Sequence, residues 1–533
     1  MGVPFPGPFS FKYHPWARGV HDSTAHQNVA MKAAQTGLTE VCINRAFFTL
    51  DVLKRDVLYV LPTTVNAGDF SKGRFGPALT HSQYLKNLFT NTNSEKLKQT
   101  HHGTTLYIRG SRGDSNLKSI PVSDLILDEV DEMDQSQIWL AFERLSGQLE
   151  KHIWAISTPT IPDHGVSLLY DESSQEHFVF ECPCCSRMTE LIWPDCMEII
   201  GEGVSDPRCH ESYLKCKECG GKLNHEDKPN FLNKAKWVPM NPDANMDNRG
   251  FHINQLYSFT VTPGEIVIAH LRGMGDEGAE AEFHKSKLGK PFVPEGGQII
   301  DGQIDNCIRG HSKNDMPPIQ SEAAHRRMIT MGVDQGNWLH VVVIEWFFEA
   351  FGPDLNAVAI GKMLWFGKFN VQADNGWGRL REMMRTWQVM HCVVDADPNT
   401  HDARQFARSF PGYVTLCRYR RGVPQKEVAV TEMDDMRTEV ATVDRTSWLD
   451  ITLGRYKTAE PRMLLPRDIN IEMRDHLKTL VRTYKKDEND NPVATYLKPG
   501  NRADHYAHSL NYAEIALPFA ASYVRGTDIR TFL

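Results

Sequence analysis

The sequence has no long hydrophobic run, no net positive charge and no basic N-terminal segment leading into an apolar stretch. Its most apolar run, 339–348, contains Glu345 and is far shorter than the roughly 20 residues that span a bilayer. We therefore expect no membrane association, no targeting segment and a cytoplasmic location. The net charge of -8 argues against a passive DNA-coating protein and restricts any DNA contact to local basic patches.

The eleven cysteines come without a secretion signal, so metal binding is favoured over disulfides. Two C-x-x-C knuckles, Cys182/Cys185 and Cys216/Cys219, lie thirty residues apart. Four thiolates at this spacing predict a closed, structural zinc ribbon over about 178–240. The other candidate ligands in this stretch are predicted to be spectators: Cys184, Cys196, Cys209 and His210.

A chain of 533 residues is too long for one hydrophobic core, so we expect two or three domains. From 29 to about 162 the sequence alternates apolar strands with helical segments, which is typical of a parallel α/β sheet. The predicted strands are 57–61, 105–108, 125–127 and 153–156.

One of these strands ends in Asp128 and Glu129, the acidic pair that a P-loop ATPase needs at the end of a buried strand. In such enzymes the Asp holds Mg²⁺ and the Glu polarises the attacking water. Upstream, 31–40 is a loop of small residues with Gly37 and Thr39, suited to holding phosphates at a helix N-terminus. The acidic pair and the loop together favour an ATP-hydrolysing machine.

The loop departs from the usual G-x-x-x-x-G-K-[ST] pattern. Leu38 stands where the Lys is expected, and Lys32 stands where the first Gly is expected. An early Lys can still reach the β- and γ-phosphates from the opposite side of the loop, and Thr39 keeps a hydroxyl for Mg²⁺. The alternative is an ordinary amphipathic helix start with Thr39 exposed.

Three further aspartates follow a different pattern near the end of the chain. Asp334 ends an apolar strand before a Gly turn and a returning strand, Asp395 ends a second strand, and Asp504 lies in the first turn of a predicted helix. Three carboxylates from separate elements can hold two Mg²⁺ or Mn²⁺ ions that clamp a scissile phosphate. This order is typical of ribonuclease-H-like nucleases. The alternatives are that each Asp caps a turn or helix, or that Asp397 replaces Asp395.

With these motifs in place, residues 10–520 resemble the lambda-like (GpA-type) large terminase subunits of tailed phages. The resemblance implies an α/β fold in which a P-loop (RecA/ASCE-like) ATPase domain with a zinc-ribbon insertion precedes a ribonuclease-H-like nuclease domain. The matching segments are 32–40, 125–129, 157–159, the four-Cys knuckles, 332–334 and Asp504.

The resemblance also implies a domain plan. It places an ATPase motor in 1–310 with a lid or linker subdomain in 249–306, a linker in 311–327, and the nuclease in 328–533. The implied function is an ATP-driven DNA translocase and an endonuclease that cuts concatemeric viral DNA in the host bacterial cytoplasm. The implied partners are double-stranded DNA, the portal protein of the procapsid, a small terminase subunit and further copies of the chain in a ring.

Residue roles follow from the same resemblance, with ATP, Mg²⁺ (or Mn²⁺) and Zn²⁺ as cofactors. Asp128 holds Mg²⁺ and Glu129 is the catalytic carboxylate of the ATPase. Asp334, Asp395 and Asp504 hold the nuclease metals. The nucleotide is bound by the loop residues Lys32, Gln35, Thr36, Gly37 and Thr39. Two alternatives stay open, a superfamily-2-like helicase or repair translocase with an appended nuclease, and a non-enzymatic capsid-docking protein.

Overall fold

The computed structural model describes residues 9–525 apart from nine short gaps: 92–93, 113–116, 118–119, 316–327, 349–354, 421–427, 433–437, 488–490 and 501. The chain divides into two compact units, Met1–Pro294 with Thr483–Val493, and Glu295–Arg482 with Ala494–Leu533. The predicted linker, 311–327, lies outside the described residues from 316 onward. None of the helices in the described part of the chain is long and apolar enough to cross a membrane.

The first unit is built on one large, mostly parallel sheet. Its described strands are β1 Gln27–Lys32, β2 Val57–Leu61, β3 Phe89–Asn91, β4 Leu97–Thr100, β5 Thr105–Gly110, β6 Asp124–Asp128, β7 His152–Ser157, β8 Glu176–Glu181, β9 Met188–Thr189, β10 Met197–Glu198, β11 Tyr213–Lys215, β12 Lys222–Leu223, β13 Lys236–Pro239 and β14 Asn248–Ile253. The sheet order is β13-β8-β14-β1-β7-β6-β2-β5-β4-β3, with β9 on β8, while β10, β11 and β12 form a small antiparallel sheet.

Helices complete this unit: α1 Pro15–His21, α2 Leu38–Phe48, α3 Thr64–Phe70, α4 Gly76–His81, α5 Gln83–Leu88, α6 Gln135–Phe142, α7 Gly165–Asp171, α8 Lys228–Phe231, α9 Pro263–Gly273 and α10 Glu277–Glu282. The strands β2 and β6 are buried along their whole length. Alternate residues of β2 enter different cores, Tyr59 with Val41 of α2 and Leu58 with Ile138 of α6. Burial on both faces explains why these strands read as continuous apolar runs.

All four strands predicted from the apolar runs are present in this sheet, and they pair in parallel with one another, while β5 also pairs antiparallel with β4. The strand β14 was not predicted. It begins the stretch that the sequence placed in a lid or linker subdomain, yet it lies beside β1 with Gln27 opposite Asn248. Pairing between segments this far apart in sequence leaves no local pattern, which is why the short run 250–253 gave no signal.

The second unit contains a mixed sheet formed by β15 Met328–Asp334, β16 Trp338–Phe347, β17 Ile360–Asn370, β18 His391–Asp395, β19 Val414–Tyr419, β20 Ala429–Glu432, β21 Glu439–Val443 and β22 Met463–Leu464. The order is β20-β21-β19-β18-β15-β16-β17-β22. Thus β15, β16 and β17 form an antiparallel meander, and β18 and β19 continue the sheet in parallel from β15. The first two strands are the predicted strand that ends at Asp334 and its returning partner.

The helices of this unit are α11 Asp301–Cys307, α12 Leu355–Val358, α13 Gly376–Thr386, α14 Thr400–Arg408, α15 Arg445–Gly454, α16 Ile471–Thr479 and α17 His505–Arg525. Two late strands, β23 Val481–Lys486 and β24 Pro492–Leu497, pair with each other, and most of β23 belongs to the first unit.

The long helix α17 packs directly on β15 at Gly332. A Cβ at this position would overlap the carbonyl oxygen of Ser509 and the amide nitrogen of Ala513. Two positions earlier, and therefore on the same face of the strand, the Thr330 hydroxyl donates to the Ala513 carbonyl at 2.8 Å. The next residue on that face is Asp334. The absence of a side chain at Gly332 therefore sets how closely the start of α17 approaches Asp334.

We expect Gly332→Ala to destabilise the protein by about 1–3 kcal/mol, because the added methyl group overpacks a site occupied by backbone atoms. The matched control is Gly302→Ala in α11, where a Cβ meets nothing within 4 Å. That change should be neutral or stabilising, since Ala is the better helix former. Urea unfolding of both variants measures the difference, and equal stabilities would contradict the proposed packing constraint.

Candidate functional site

In the first unit, β1 leads through a short loop into α2. Lys32 ends the strand, and α2 begins at Leu38 after Gly37, whose φ of 80° is left-handed. A Cβ on Gly37 would lie 2.9 Å from the His14 ring, so both conformation and space require glycine here. The indole of Trp16 donates to the Thr36 carbonyl at 2.9 Å. The loop is thus a supported strand-to-helix turn at the N-terminus of a helix, as a phosphate-binding loop requires.

The acidic pair lies beside this loop. Asp128 ends β6, and Glu129 follows in a left-handed conformation with φ 63°. Lys32 Nζ lies 3.1 Å from Glu129 Oε1, so the early Lys of the loop contacts the predicted catalytic carboxylate. Asp128 Oδ2 accepts a hydrogen bond of 2.7 Å from the Tyr59 hydroxyl, and Thr39 lies close enough for its hydroxyl to lower the pKa of Asp128.

Burial controls the electrostatics of this group. It raises the pKa of Asp128 to about 6, the charge of Glu129 adds to the shift, and Lys32 opposes it. Burial also acts to lower the pKa of Lys32, but the carboxylates of Glu129 and Asp128 outweigh it and leave that pKa above its ordinary value. Asp128 Oδ1 is buried and has no hydrogen-bond partner among the described residues. An unsatisfied carboxylate oxygen in a site with excess negative charge fits a cation such as Mg²⁺ with its water shell.

Sequence reasoning missed Asp131, which connects this site to the strand next to it. Its carboxylate accepts from the amide and the hydroxyl of Thr160, both at 2.7 Å, and from the amide of Val166 at 2.8 Å. The Ser157 hydroxyl in turn lies 3.5 Å from Glu129 Oε2 and accepts from the Asp131 amide. The start of the matching segment 157–159 therefore lies next to Glu129, supported by a buried Asp whose only sequence signal is its position two residues after Glu129.

The two C-x-x-C knuckles come together in the first unit. The sulfur atoms of Cys182, Cys185, Cys216 and Cys219 all lie within 4.8 Å of one another. Backbone amides two residues on donate at 3.4 Å to the sulfurs of Cys182, Cys216 and Cys219. Four thiols in this arrangement match the donor set of tetrahedral zinc. The remaining cysteines of this stretch lie outside the cluster: Cys184, Cys196 and Cys209.

In the second unit, three polar side chains form a row across adjacent strands. In the parallel pairing of β15 with β18, Val333 lies opposite Val394, which places Asp334 beside Asp395. In the antiparallel pairing of β15 with β16, Asp334 lies directly opposite His340. Residues that face each other across strands project to the same side of a sheet. Asp395, Asp334 and His340 therefore share the face of the sheet on which α17 packs.

The first residue of α17 contacts this row. His505 Nδ1 lies 2.7 Å from Asp334 Oδ2, and its ring stacks on His340 with centroids 4.4 Å apart. One ligand atom from each of Asp334, His340 and His505 lies within 4.8 Å of the others. Asp395 and Asp504 are not members of this group. Sequence reasoning missed both histidines, although His505 directly follows Asp504.

The two remaining carboxylates have opposite environments. Burial raises the pKa of Asp395 to about 6, with a contribution from the charge of Asp334. Burial acts in the same direction on Asp504, but His508 at 3.3 Å and Lys498 at 3.5 Å hold its pKa well below the usual range. Asp395 is thus a carboxylate that a metal ion would help to ionise, whereas Asp504 already pairs with Lys498 and His508.

Two family models match the chain. The ATPase domain of the phage terminase large subunit gpA matches 4–237, and the endonuclease domain of the terminase large subunit gpA matches 248–454. Together they match more than half of the chain. A comparison with curated proteins gives no significant match.

Solved structures that resemble the chain include large terminases and a large terminase nuclease. One from a thermophilic bacteriophage is 12% identical, with 96% of this chain and 100% of that chain covered and a TM-score of 0.33. That of bacteriophage HK97 is 10% identical, with 96% of each chain covered and a TM-score of 0.44. The large terminase nuclease of thermophilic phage G20c is 14% identical, covering 40% of this chain and 94% of that chain with a TM-score of 0.25.

Proposed function

The chain belongs to the gpA family of phage terminase large subunits, and we propose which of its residues carry the two activities of that family. It has an ATPase domain and an endonuclease domain, and large terminase subunits bind DNA and act in its packaging. The observation that carries the proposal is the meeting of Lys32, Asp128 and Glu129 beside the loop that precedes α2.

In the proposed ATPase site, Lys32, Gln35, Thr36, Gly37 and Thr39 bind the phosphates of ATP. Bound ATP supplies the phosphoanhydride, and Mg²⁺ supplies charge neutralisation. Asp128 is the residue that holds Mg²⁺, which the unsatisfied Oδ1 supports. Glu129 orients the attacking water and accepts its proton. When ATP binds, Lys32 must leave Glu129 and contact the phosphates instead. Glu129 can then contact the attacking water.

We expect Glu129→Gln to bind ATP with near-normal affinity but to lose hydrolysis by roughly 10²-fold or more, the usual contribution of a general base. Lys32→Ala should weaken both nucleotide binding and turnover. Fluorescent-nucleotide titration and phosphate release measure the two quantities, with the exposed Glu143→Gln as the matched control. A fully active Lys32→Ala variant would show that the early Lys does not serve this loop.

For the nuclease, we propose that Asp334, Asp395 and Asp504 hold Mg²⁺ or Mn²⁺ ions that position and activate a DNA phosphate. The pairing of β15 with β18 supports this for Asp334 and Asp395, because it sets the two side chains side by side on one face. The raised pKa of Asp395 supports a cation there as well. Asp504 contributes from the segment just before α17.

Asp334→Asn or Asp395→Asn should abolish DNA cleavage in Mg²⁺ or Mn²⁺ while ATP hydrolysis continues, because neither change touches the residues around Lys32. Asp504→Asn should be milder. The control is Asp397→Asn, an exposed carboxylate paired with Arg418 at 3.2 Å. Plasmid nicking and phosphate release, measured on the same preparations, separate the activities. Loss of cleavage in Asp397→Asn with cleavage retained in Asp395→Asn would exchange the roles of these two residues.

We further propose that the four-Cys cluster holds one structural zinc, with 178–240 as a zinc ribbon. Cys216→Ser should remove the zinc and lower the melting temperature, because four thiolates close the coordination sphere and metal binding contributes folding energy. The matched control is Cys184→Ser, which changes an exposed cysteine inside the first knuckle but outside the cluster. Elemental analysis of the purified protein checks both, and zinc-free wild-type protein would refute the site.

The remaining parts of the proposal concern organisation and partners. We propose an ATPase motor in 1–310, a linker in 311–327 and a nuclease in 328–533, with ATP hydrolysis driving translocation of concatemeric viral DNA in the bacterial cytoplasm. The portal protein, a small terminase subunit and a ring of identical chains are the proposed partners. A packaging assay with procapsids and purified chain tests this, with Glu129→Gln as the variant that should not package.

A further inference from the structure

We infer that the nuclease site contains a mixed nitrogen and oxygen site for a first-row transition-metal dication, in which His340 and His505 join Asp334 as ligands. The inference rests on the proposed nuclease function of Asp334. It adds two imidazole ligands and the class of ion that they select.

The geometry places the three side chains on three different elements that converge at one point. Asp334 lies at the end of β15, His340 lies opposite it on β16, and His505 begins α17. His505 Nδ1 is 2.7 Å from Asp334 Oδ2, and one ligand atom of each residue lies within 4.8 Å of the others. Two ligand atoms bonded to one ion at about 2.0–2.2 Å lie no more than about 4.4 Å apart. The three ligand atoms are therefore close to the spacing that a shared ion requires.

His340 provides an independent sign of a missing ligand. Its side chain is buried, with 5% of the residue exposed, and its Nδ1 atom has no hydrogen-bond partner among the described residues. Leaving a buried polar nitrogen unsatisfied is unfavourable, and such groups in native proteins are normally paired. A cation bound near His505 and Asp334 would supply the partner that this imidazole lacks among the described residues.

The different partners of Asp504 and His505 support His505 as the metal ligand contributed by α17. Asp504 already pairs with His508 and Lys498. Its neighbour His505 is the residue that contacts Asp334, and its side chain is 46% exposed, so it can adjust to an ion.

The donor set then decides the type of ion. Mg²⁺ takes oxygen ligands and keeps several waters, so a site of carboxylates alone suits it well. Imidazole nitrogen favours transition metals over Mg²⁺. With two imidazoles and one carboxylate, we expect the site to bind Mn²⁺ more tightly than Mg²⁺.

The test uses the full-length, zinc-loaded protein without nucleotide, and Mn²⁺ as the probe. Wild type should bind Mn²⁺, and the electron spin-echo signal of the bound ion should carry nitrogen hyperfine modulation. His505→Ala removes a direct ligand, so it should reduce that modulation and weaken Mn²⁺ binding by at least the roughly tenfold loss that outer-shell partners cause. Mg²⁺ binding should stay near the wild-type value. The exposed His401→Ala on α14 is the matched control and should leave both affinities unchanged.

His340→Gln is the second variant, because it retains a polar side chain in the buried position.

Bound Mn²⁺ without nitrogen modulation in wild type would overturn the inference. Equal losses of Mn²⁺ and Mg²⁺ affinity in His505→Ala would also overturn it. If His505 only orients Asp334 through a hydrogen bond, its removal weakens the binding of both ions equally. DNA cleavage separates this from the proposed function. Nitrogen-coordinated Mn²⁺ in a chain that cuts no DNA would refute the nuclease and keep the metal site, whereas cleavage without nitrogen coordination would refute the metal site alone.

Discussion

Parallel strand pairing is the constraint on which both candidate sites depend. In a parallel pair the carboxyl ends of two strands meet at the same edge, however far apart they lie in sequence. In the first unit this places the end of β6 at Asp128 and Glu129 beside the end of β7 at Ser157. In the second unit it places Asp334 beside Asp395. Each site therefore forms where strands end, and the sheets hold its residues in a fixed register.

Several of the charged residues at these edges are buried, and burial makes their ionisation unfavourable. Asp128 is buried next to Glu129, and its raised pKa expresses the difficulty of ionising it there. Lys32 offsets part of that charge through its contact with Glu129 at 3.1 Å. Lys32 is buried whereas the Glu129 side chain is 40% exposed. A buried ammonium group without a partner is unfavourable, so a ligand that draws Lys32 away from Glu129 must provide negative charge of its own. Nucleotide phosphates with a bound cation meet that requirement.

In the second unit, the close packing of α17 on β15 determines which side chains contact Asp334 and Asp504. Gly332 lets the helix backbone lie against β15, and the Thr330 hydroxyl fixes the helix at Ala513. This places His505 on Asp334, while Asp504 is left to His508 and Lys498. A larger residue at 332 would move the helix and with it the histidine. The chemistry of this site thus depends on a residue that has no functional group.

Local spacing in the sequence was enough to predict individual strands and motifs. Continuous apolar runs predicted the strands that end at Asp128 and Asp395, and the motifs predicted the mixed α/β fold and, through the resemblance they carry, the terminase family; these predictions are confirmed. Two C-x-x-C knuckles predicted a zinc ribbon, of which the four-cysteine cluster is present while the zinc stays a prediction. The individual roles of Lys32, Asp128, Glu129 and the three aspartates stay predictions. Which distant side chains touch depends on three-dimensional packing, as the contact of Lys32 with Glu129 and the approach of His505 to Asp334 show. Such contacts are set by strand register and by the position of a packed helix, and a one-residue change in register turns every side chain of a strand to the opposite face. Local sequence patterns carry no record of that choice, because it follows from the burial of whole sheets and helices against one another.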